Sequence, residues 1–213
     1  MKIILFGARG DVGRRIGEEA LARGHDVTAV VRRQAQAGEI PQGAVARVAE
    51  VGERAAAARL MAGHDLAITA LRPPDGEEPA LVPLTGALLD GAALAEIPLL
   101  IVGGAASLKL PGQDGETVLS APGFLPAPVL PIARASFAQY ELCLADPRGH
   151  WTYVSPPALL TPGERMGDYR IGTDELLFDG AGESRISMED FAVALIDEAE
   201  APRHRGARFT VAS

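Results

Sequence analysis

The amino-acid sequence predicts an α/β fold built on a doubly wound parallel sheet, with helices on both faces. Three observations lead to this prediction. The chain opens with the apolar run 3–6, a glycine-rich turn and a helical segment. Strand-like and helix-like segments then alternate through the first half. The run from Leu99 to Val102 is apolar throughout, which is typical of a strand buried on both faces of a parallel sheet.

The first half contains five strand-like segments separated by turns or helices. Apolar and β-branched runs indicate the strands, and segments with helical spacing lie between them. Pro73 and Pro74 end one strand, and Gly63 ends one helix. We expect strands at 3–6, 27–31, 44–48, 65–71 and 99–102, and helices at 14–23, 53–62 and 82–95.

The second half is richer in glycine and proline. We expect residues 103–131 to form a loop over the ligand crevice, and residues 158–185 to form a small C-terminal lobe of a single domain spanning 1–213. Ser187 followed by Asp190 predicts a helix N-cap. The remaining expected elements are helices at 135–145 and 188–200, strands at 151–154 and 208–211, and short strand-like pieces at 169–171 and 176–178.

Composition excludes several classes of function. The chain has 213 residues, a formal net charge of -8 and a pI of about 5.0, which disfavours a nucleic-acid partner. Cys143 is the single cysteine, so no internal disulfide can form. The four histidines show no metal-ligand spacing, so we expect no metal site. No signal-peptide layout or membrane-length apolar run occurs in the sequence, and we expect a soluble, cytoplasmic protein.

The glycine-rich turn has the spacing of a dinucleotide-binding loop. Gly7 suits the tight turn, Gly10 lets the backbone approach a pyrophosphate, and Gly13 lets the helix pack closely on the strand. Asp11 and Val12 directly precede the predicted helix, whose free N-terminal amides and dipole favour phosphate, so we expect them to bind the cofactor as well. A strand–turn–helix unit without a ligand also favours glycine, but the flanking strand and helix and the position at the chain start favour cofactor binding.

The end of the second strand indicates which dinucleotide binds. An acidic residue there would accept a hydrogen bond from the ribose 2′-OH of NAD, whereas an arginine would bind a 2′-phosphate. The strand ends at Val31-Arg32-Arg33, and Arg9 adds a second cation in the glycine loop. We therefore predict NADP(H), with NAD(H) less favoured, through Arg9 and Arg32. The alternative is that these arginines are only solvated charges.

Several segments together resemble a known family. These are the glycine loop, Arg32, Asp65, the run 102–107, Ser155-Pro156-Pro157 and the C-terminal segments 162–165, 169–172 and 184–190. The chain resembles the atypical short-chain dehydrogenase/reductase superfamily. Within it, the chain is similar to the NAD(P)H-binding group of NmrA-like proteins and NADH-flavin reductases, which is related to flavin/biliverdin-IXβ reductase.

The resemblance carries structural implications. It implies a Rossmann-like sheet of strand order 3-2-1-4-5-6 and a C-terminal lobe that shapes the substrate pocket. It also implies a cofactor contact at Glu50, although a solvated glutamate is the simpler explanation. We add Ala70, Leu71, Gly103 and Gly104 to the expected cofactor-binding residues, because Ala70 and Leu71 end the fourth strand and the two glycines follow the fifth.

Typical members of the superfamily use a Tyr-x-x-x-Lys pair for proton transfer. This chain lacks the pair, since the residues four positions after its three tyrosines are Leu144, Pro157 and Thr173. The resemblance offers Ser107 and Tyr140 as catalytic candidates. Each has a simpler interpretation: Ser107 as a loop residue that caps its own backbone, and Tyr140 as a packed helical aromatic.

Two functions of different classes remain open. The first is an NADPH-dependent reductase that transfers hydride to a small aromatic acceptor such as a flavin or quinone. The second is a non-catalytic NmrA-like sensor of the NADP(H) redox state, and an epimerase or dehydratase is a weaker alternative. The absent Tyr/Lys pair favours the sensor, whereas the long loops favour the enzyme. The sequence leaves open whether the protein is a monomer or a homodimer.

Overall fold

The computed structural model describes residues 1–113 and 115–213. These residues contain ten strands and five α-helices. The strands are β1 (Lys2–Phe6), β2 (Asp26–Val31), β3 (Val45–Val48), β4 (Leu66–Thr69), β5 (Leu99–Val102), β6 (Trp151–Ser155), β7 (Leu159–Thr161), β8 (Arg170–Gly172), β9 (Arg185–Ser187) and β10 (Ala207–Ala212). The helices are α1 (Asp11–Ala22), α2 (Arg54–Met61), α3 (Leu81–Ala95), α4 (Leu130–Leu144) and α5 (Met188–Glu200).

Eight of these strands form one sheet in the order β3-β2-β1-β4-β5-β6-β10-β8. The first six are parallel, so the expected order 3-2-1-4-5-6 is confirmed. In the central register, Ile4 lies opposite Thr28 of β2 and Ala67 of β4. β10 continues the sheet parallel to β6, and β8 closes the edge in the antiparallel direction. The order reverses between β1 and β4, where open α/β sheets bind their ligands.

The helices form a layer on each face of the sheet, as a doubly wound fold requires. One core lies under α1 and α5 and includes Leu5, Ile16 and Phe191. The opposite core lies under α2, α3 and α4 and includes Phe6 and Leu88. Successive residues of β1 point to opposite faces, and both faces are covered, so the strand is apolar almost throughout.

The structure differs from the sequence prediction in the second half. α4 begins at Leu130, five residues before the expected start, because Pro131 occupies the first turn, where no amide donor is needed. Residues 176–178 form no strand; Leu176 instead packs in a small apolar cluster with Leu108 and Val118. The parallel pair β7–β9 was not predicted, because three-residue strands have too little pattern to detect.

The first helix also begins earlier than expected, at Asp11 rather than Arg14. The helix therefore begins within the glycine-rich turn, residues 7–13. No helix among residues 1–113 and 115–213 combines the length and apolar character needed to cross a lipid bilayer.

Candidate functional site

The glycine-rich turn lies between β1 and α1 at the point where the sheet order reverses. Gly7 has a φ of +86°, and a Cβ there would lie 2.5 Å from the carbonyl oxygen of Ala70. A Cβ on Gly13 would lie 2.2 Å from the carbonyl oxygen of Gly7. Both positions therefore require glycine to let the turn, α1 and the end of β4 pack together.

Gly10 differs from its two neighbours in the motif. A Cβ at Gly10 would meet only the Gly7 carbonyl oxygen, at an ordinary contact distance of 3.4 Å. The residue is the N-cap of α1 and provides no side-chain hydrogen bond to the first helical turn. The amides of that turn can therefore serve an external anion, which the helix dipole also favours.

A cavity of about 350 Å³ opens on one side of the turn. The glycine loop, the end of β2 and the segment after β4 form its walls. Six of the expected cofactor residues line it, namely Gly7, Arg9, Gly10, Arg32, Ala70 and Leu71. Glu50 is not among the described lining residues, although Ala49 and Val51 on either side of it are. A contact between Glu50 and a cofactor stays a prediction.

A second cavity, of about 670 Å³, opens on the other side. Its walls include Asp11 and Val12 of α1, Gly103 and Gly104 after β5, and the segment 156–161 after β6. The two cavities share four lining residues, namely Gly10, Ala70, Leu71 and Arg72. One continuous crevice therefore crosses the N-terminus of α1, with a chamber at each end.

These features fit a dinucleotide. The uncapped start of α1 lies between the two chambers and offers amides to a central pyrophosphate. The absence of a Cβ at Gly10 leaves the backbone open to that group. The chambers on either side accommodate two nucleoside-sized halves, and both have mainly apolar walls, as small-molecule sites usually do.

The two predicted arginines have different surroundings. Arg9 donates a hydrogen bond from Nε to Glu39 Oε2 over 2.9 Å, and the two side chains form an ion pair. Arg32 is exposed and lines the smaller cavity. Its backbone amide donates to the buried side chain of Gln36 over 3.1 Å, which holds the end of β2 in place. The structure therefore presents Arg32 to the cavity, while Arg9 already has an acidic partner.

The glycines after β5 permit close packing between β5, β6 and α4. A Cβ on Gly103 would lie 2.1 Å from the ring of Tyr153, and one on Gly104 would lie 2.5 Å from the Ser136 hydroxyl. The Gly104 amide donates to Tyr153 Oη over 3.1 Å. Burial raises the pKa of Tyr153, so its hydroxyl stays neutral and serves as a structural donor and acceptor.

Ser107 and Tyr140, the two catalytic candidates, lie beside a buried arginine. Arg208 Nη1 donates to Ser107 Oγ over 2.8 Å, and the Arg208 guanidinium lies 4.2 Å from the centre of the Tyr140 ring. Burial raises the pKa of Tyr140, which disfavours its ionised form. Among the described residues, neither Ser107 nor Tyr140 lines the larger cavity. The structure brings the two candidates into the same buried cluster, and their part in catalysis stays a prediction.

Sequence reasoning missed several polar residues of the crevice, including Arg72, Gln36, Ser136 and Gln139. Arg72 directly follows Leu71 and lines both chambers, and its nearest acidic partner, Asp75, is 4.0 Å away. Gln36 lines the smaller chamber. Ser136 and Gln139 lie on the face of α4 that lines the larger chamber. The sequence offered a signal for Arg72, namely a cation directly after β4. Ser136 and Gln139 can be identified only from the packing of α4, which turns their face towards the chamber.

The larger chamber has little capacity for acid–base chemistry. Among the described residues that line it, Asp11 and Arg72 are the titratable ones. Gln139 Nε2 is already committed to Thr85 Oγ1, over 2.9 Å. Cys143 lies outside this lining, and burial raises its pKa to about 12. The chamber therefore suits chemistry in which a bound cofactor supplies the reactive group.

No group of three or more His, Cys, Asp or Glu residues is arranged to hold a metal ion within residues 1–113 and 115–213.

Comparisons with known proteins agree with this geometry. A family model described as NAD(P)H-binding matches residues 7–199. The Bacillus subtilis protein YwnB, described as uncharacterized, is 34% identical over 215 residues, which cover 100% of this chain and 99% of YwnB.

Solved structures also resemble this chain over its full length. A candidate exported protein from Burkholderia pseudomallei is 35% identical with a TM-score of 0.88, and the match covers 100% of each chain. A candidate NADH-flavin reductase from Streptococcus pneumoniae is 27% identical with a TM-score of 0.90, covering 100% of this chain and 99% of that one.

Proposed function

The chain belongs to the NAD(P)H-binding oxidoreductase family whose model covers residues 7–199, and from this membership we propose that it is an NADPH-dependent reductase. The acceptor is a flavin, a quinone or a similar conjugated molecule. One observation is central to the proposal: the uncapped N-terminus of α1 lies between two mainly apolar chambers that share Gly10 and Arg72.

We expect each region of the crevice to bind a different group of the cofactor. The amides at the start of α1 would hold the pyrophosphate, and the smaller chamber would take the adenosine half. The larger chamber would take the nicotinamide together with the acceptor. Arg72, which lines both chambers, would pair with the phosphates, since a guanidinium matches phosphate oxygens well.

The preference for NADPH over NADH rests on the end of β2. Arg32 is exposed at the wall of the smaller chamber, in the position where an acidic residue would instead select NAD. Gln36 holds the backbone of that strand end through the amides of Arg32 and Arg33, 3.1 Å away in each case. This position of the guanidinium supports a preference for a cofactor that carries a 2′-phosphate.

Bound NADPH supplies the hydride for the reduction. The chain's own residues would orient the reacting rings and exclude water. Val118, Leu125 and Ile132 give the larger chamber an apolar wall against which an aromatic acceptor can lie. Since the chain has no Tyr-x-x-x-Lys pair, the final proton would come from water rather than from a protein acid.

The name of the Streptococcus pneumoniae neighbour, a candidate NADH-flavin reductase, supports this class of acceptor. A second candidate function is a sensor of the NADP(H) redox state that turns nothing over. It is favoured by the scarcity of titratable groups in the larger chamber, where Asp11 and Arg72 are the ones among the described lining residues.

The test is NADPH oxidation, followed at its absorbance band, with a panel of flavins and quinones and with NADH in parallel. Acceptor-dependent turnover that prefers NADPH supports the reductase and identifies the acceptor class. If calorimetry shows tight NADPH binding but no acceptor on the panel is reduced, the sensor is favoured. If calorimetry shows that neither cofactor binds, both candidate functions are wrong.

A further inference from the structure

One cation in the wall of the smaller chamber, Arg9, forms an ion pair with Glu39. Arg9 belongs to the glycine-rich turn and lines the chamber, and Glu39 ends the short 3-10 segment Gln34–Glu39. Arg9 Nε donates to Glu39 Oε2 over 2.9 Å, and Arg9 Nη2 contacts the same oxygen. The pair therefore joins the cofactor loop to the segment that follows β2, across 30 residues of sequence.

The Arg9–Glu39 pair is open to solvent. The Arg9 side chain is 36% exposed and the Glu39 side chain is 55% exposed. Exposed ion pairs contribute little to the stability of a fold, because water and salt screen both charges. A more highly charged anion that enters the chamber can therefore replace the Glu39 carboxylate at small cost.

We propose that Glu39 sets the selectivity between NADP(H) and NAD(H) by competing with the 2′-phosphate for Arg9, an inference that rests on the function proposed above. Arg9 and Arg32 line the same chamber, so a phosphate held there would draw on both cations. To contribute fully, Arg9 must release Glu39. NAD(H) has a hydroxyl in place of the phosphate, so it binds with the Arg9–Glu39 pair intact.

Glu39 thus weakens NADP(H) binding in two ways. It holds the Arg9 guanidinium away from the phosphate, and after displacement its carboxylate remains near a group of the same charge. Neither effect acts on NAD(H). Arg32 therefore favours binding of the 2′-phosphate, and Glu39 limits the resulting preference for NADP(H) over NAD(H).

The test measures dissociation constants for NADP⁺ and NAD⁺ by isothermal titration calorimetry, in the intact chain and in Glu39→Gln. Because glutamine keeps the size and removes the charge, NADP⁺ should bind about five- to tenfold more tightly, whereas NAD⁺ should change less than about twofold. The gain for NADP⁺ should shrink as salt rises from low to high ionic strength.

Glu18→Gln is the matched control, because Glu18 forms a comparable exposed pair with Arg14 on α1 and neither residue is among the described lining of the two chambers. It should leave both affinities within about twofold. In an Arg9→Ala background, Glu39→Gln should lose most of its effect, since the cation for which Glu39 competes is gone.

The results separate this inference from the proposed function. If the unaltered chain and Glu39→Gln bind neither dinucleotide, the cofactor site itself is wrong, and the inference falls with it. If the unaltered chain prefers NAD⁺ but Glu39→Gln gains NADP⁺ affinity, the proposed preference for NADPH is wrong. The competition of Glu39 with the 2′-phosphate is then still supported. Equal changes for both dinucleotides, no change for either, or a full gain in the Arg9→Ala background would overturn the inference.

Discussion

The backbone amide of Gly104 donates a hydrogen bond to Oη of Tyr153, with the two atoms 3.1 Å apart. The same hydroxyl lies 3.0 Å from the carbonyl oxygen of Ser136 and 3.2 Å from Oε1 of Gln139, to one of which it donates. Tyr153 is fully buried. One phenol thus connects the loop after β5, the strand β6 and the helix α4, and both the loop and the helix line the larger chamber.

Tyr153→Phe should therefore lower the free energy of unfolding by about 1–3 kcal/mol, because it leaves the half-buried Gly104 amide and a buried carbonyl without their partner. Denaturant unfolding followed by circular dichroism measures the change. Tyr140→Phe is the control: within the described part of the chain its hydroxyl makes no hydrogen bond, so the loss should stay below about 0.5 kcal/mol. Equal losses in the two variants would contradict this account of Tyr153.

Alanine at two positions of the glycine motif should have opposite consequences. Gly13→Ala places a Cβ 2.2 Å from the Gly7 carbonyl oxygen, so α1 must shift and the fold should lose about 1–3 kcal/mol of stability. Gly10→Ala adds a Cβ at an ordinary 3.4 Å, so the fold should keep its thermal midpoint while cofactor affinity falls. Scanning calorimetry and cofactor titration together separate the two effects. Full cofactor affinity in Gly10→Ala would mean that the turn has no part in binding.

Arg32→Ala should weaken NADPH binding about 10- to 100-fold, while NADH binding should change less than about threefold, since only NADPH offers a phosphate to the guanidinium. Titration of both cofactors by fluorescence or calorimetry measures the ratio. Arg33→Ala is the matched control, because Arg33 is its exposed neighbour and is not among the described lining of the smaller chamber. Equal losses for NADPH and NADH in Arg32→Ala would remove the 2′-phosphate assignment.

Ser107→Ala should lower the stability of the fold and leave turnover almost unchanged. The Ser107 hydroxyl accepts a hydrogen bond from the buried Arg208 over 2.8 Å, so its removal should cost about 1–3 kcal/mol. Among the described residues it is not part of the larger chamber, so kcat at a temperature well below the unfolding midpoint should stay within about threefold. A large loss of kcat with unchanged stability would instead establish the catalytic part that the resemblance implies for Ser107.

Stability should depend on pH through Glu19 of α1. Hydrogen bonds from Arg165, and to a lesser extent from Arg23, lower the pKa of Glu19 below its ordinary value of 4.5. A carboxyl whose folded-state pKa is depressed stabilises the fold above its unfolded pKa, and this contribution is lost as the pH falls through the folded pKa. Stability should therefore be insensitive to this group near pH 7 and decline below about pH 4.5.

Glu19→Gln should reduce this acid sensitivity and cost about 2 kcal/mol at neutral pH, because it leaves the cations of Arg23 and Arg165 without their shared partner. Urea unfolding at several pH values compares the variant with the unaltered chain. Glu18→Gln is again the control, because Glu18 is exposed and binds only the neighbouring Arg14 among the described contacts. An unchanged pH profile in Glu19→Gln would contradict the assignment.

Much of the fold was predictable because its signals are local. The glycine spacing of residues 7–13 and the apolar strands of the first half follow from short-range sterics and from burial on both faces of a sheet. The order of the central strands followed from the resemblance, and the structure confirms it. The predicted loop 103–131 includes the first two residues of α4, because proline near a helix start resembles a break until its position in the first turn is known.

The sequence by itself determined the α/β architecture, the glycine loop after the first strand and the lack of a Tyr-x-x-x-Lys pair, since each depends on residues close together in the chain. Tertiary structure alone decided which side chains meet. It pairs Arg9 with Glu39, 30 residues away, and Ser107 with Arg208, 101 residues away. Such contacts depend on how helices, strands and loops pack in three dimensions, and no local sequence pattern predicts them.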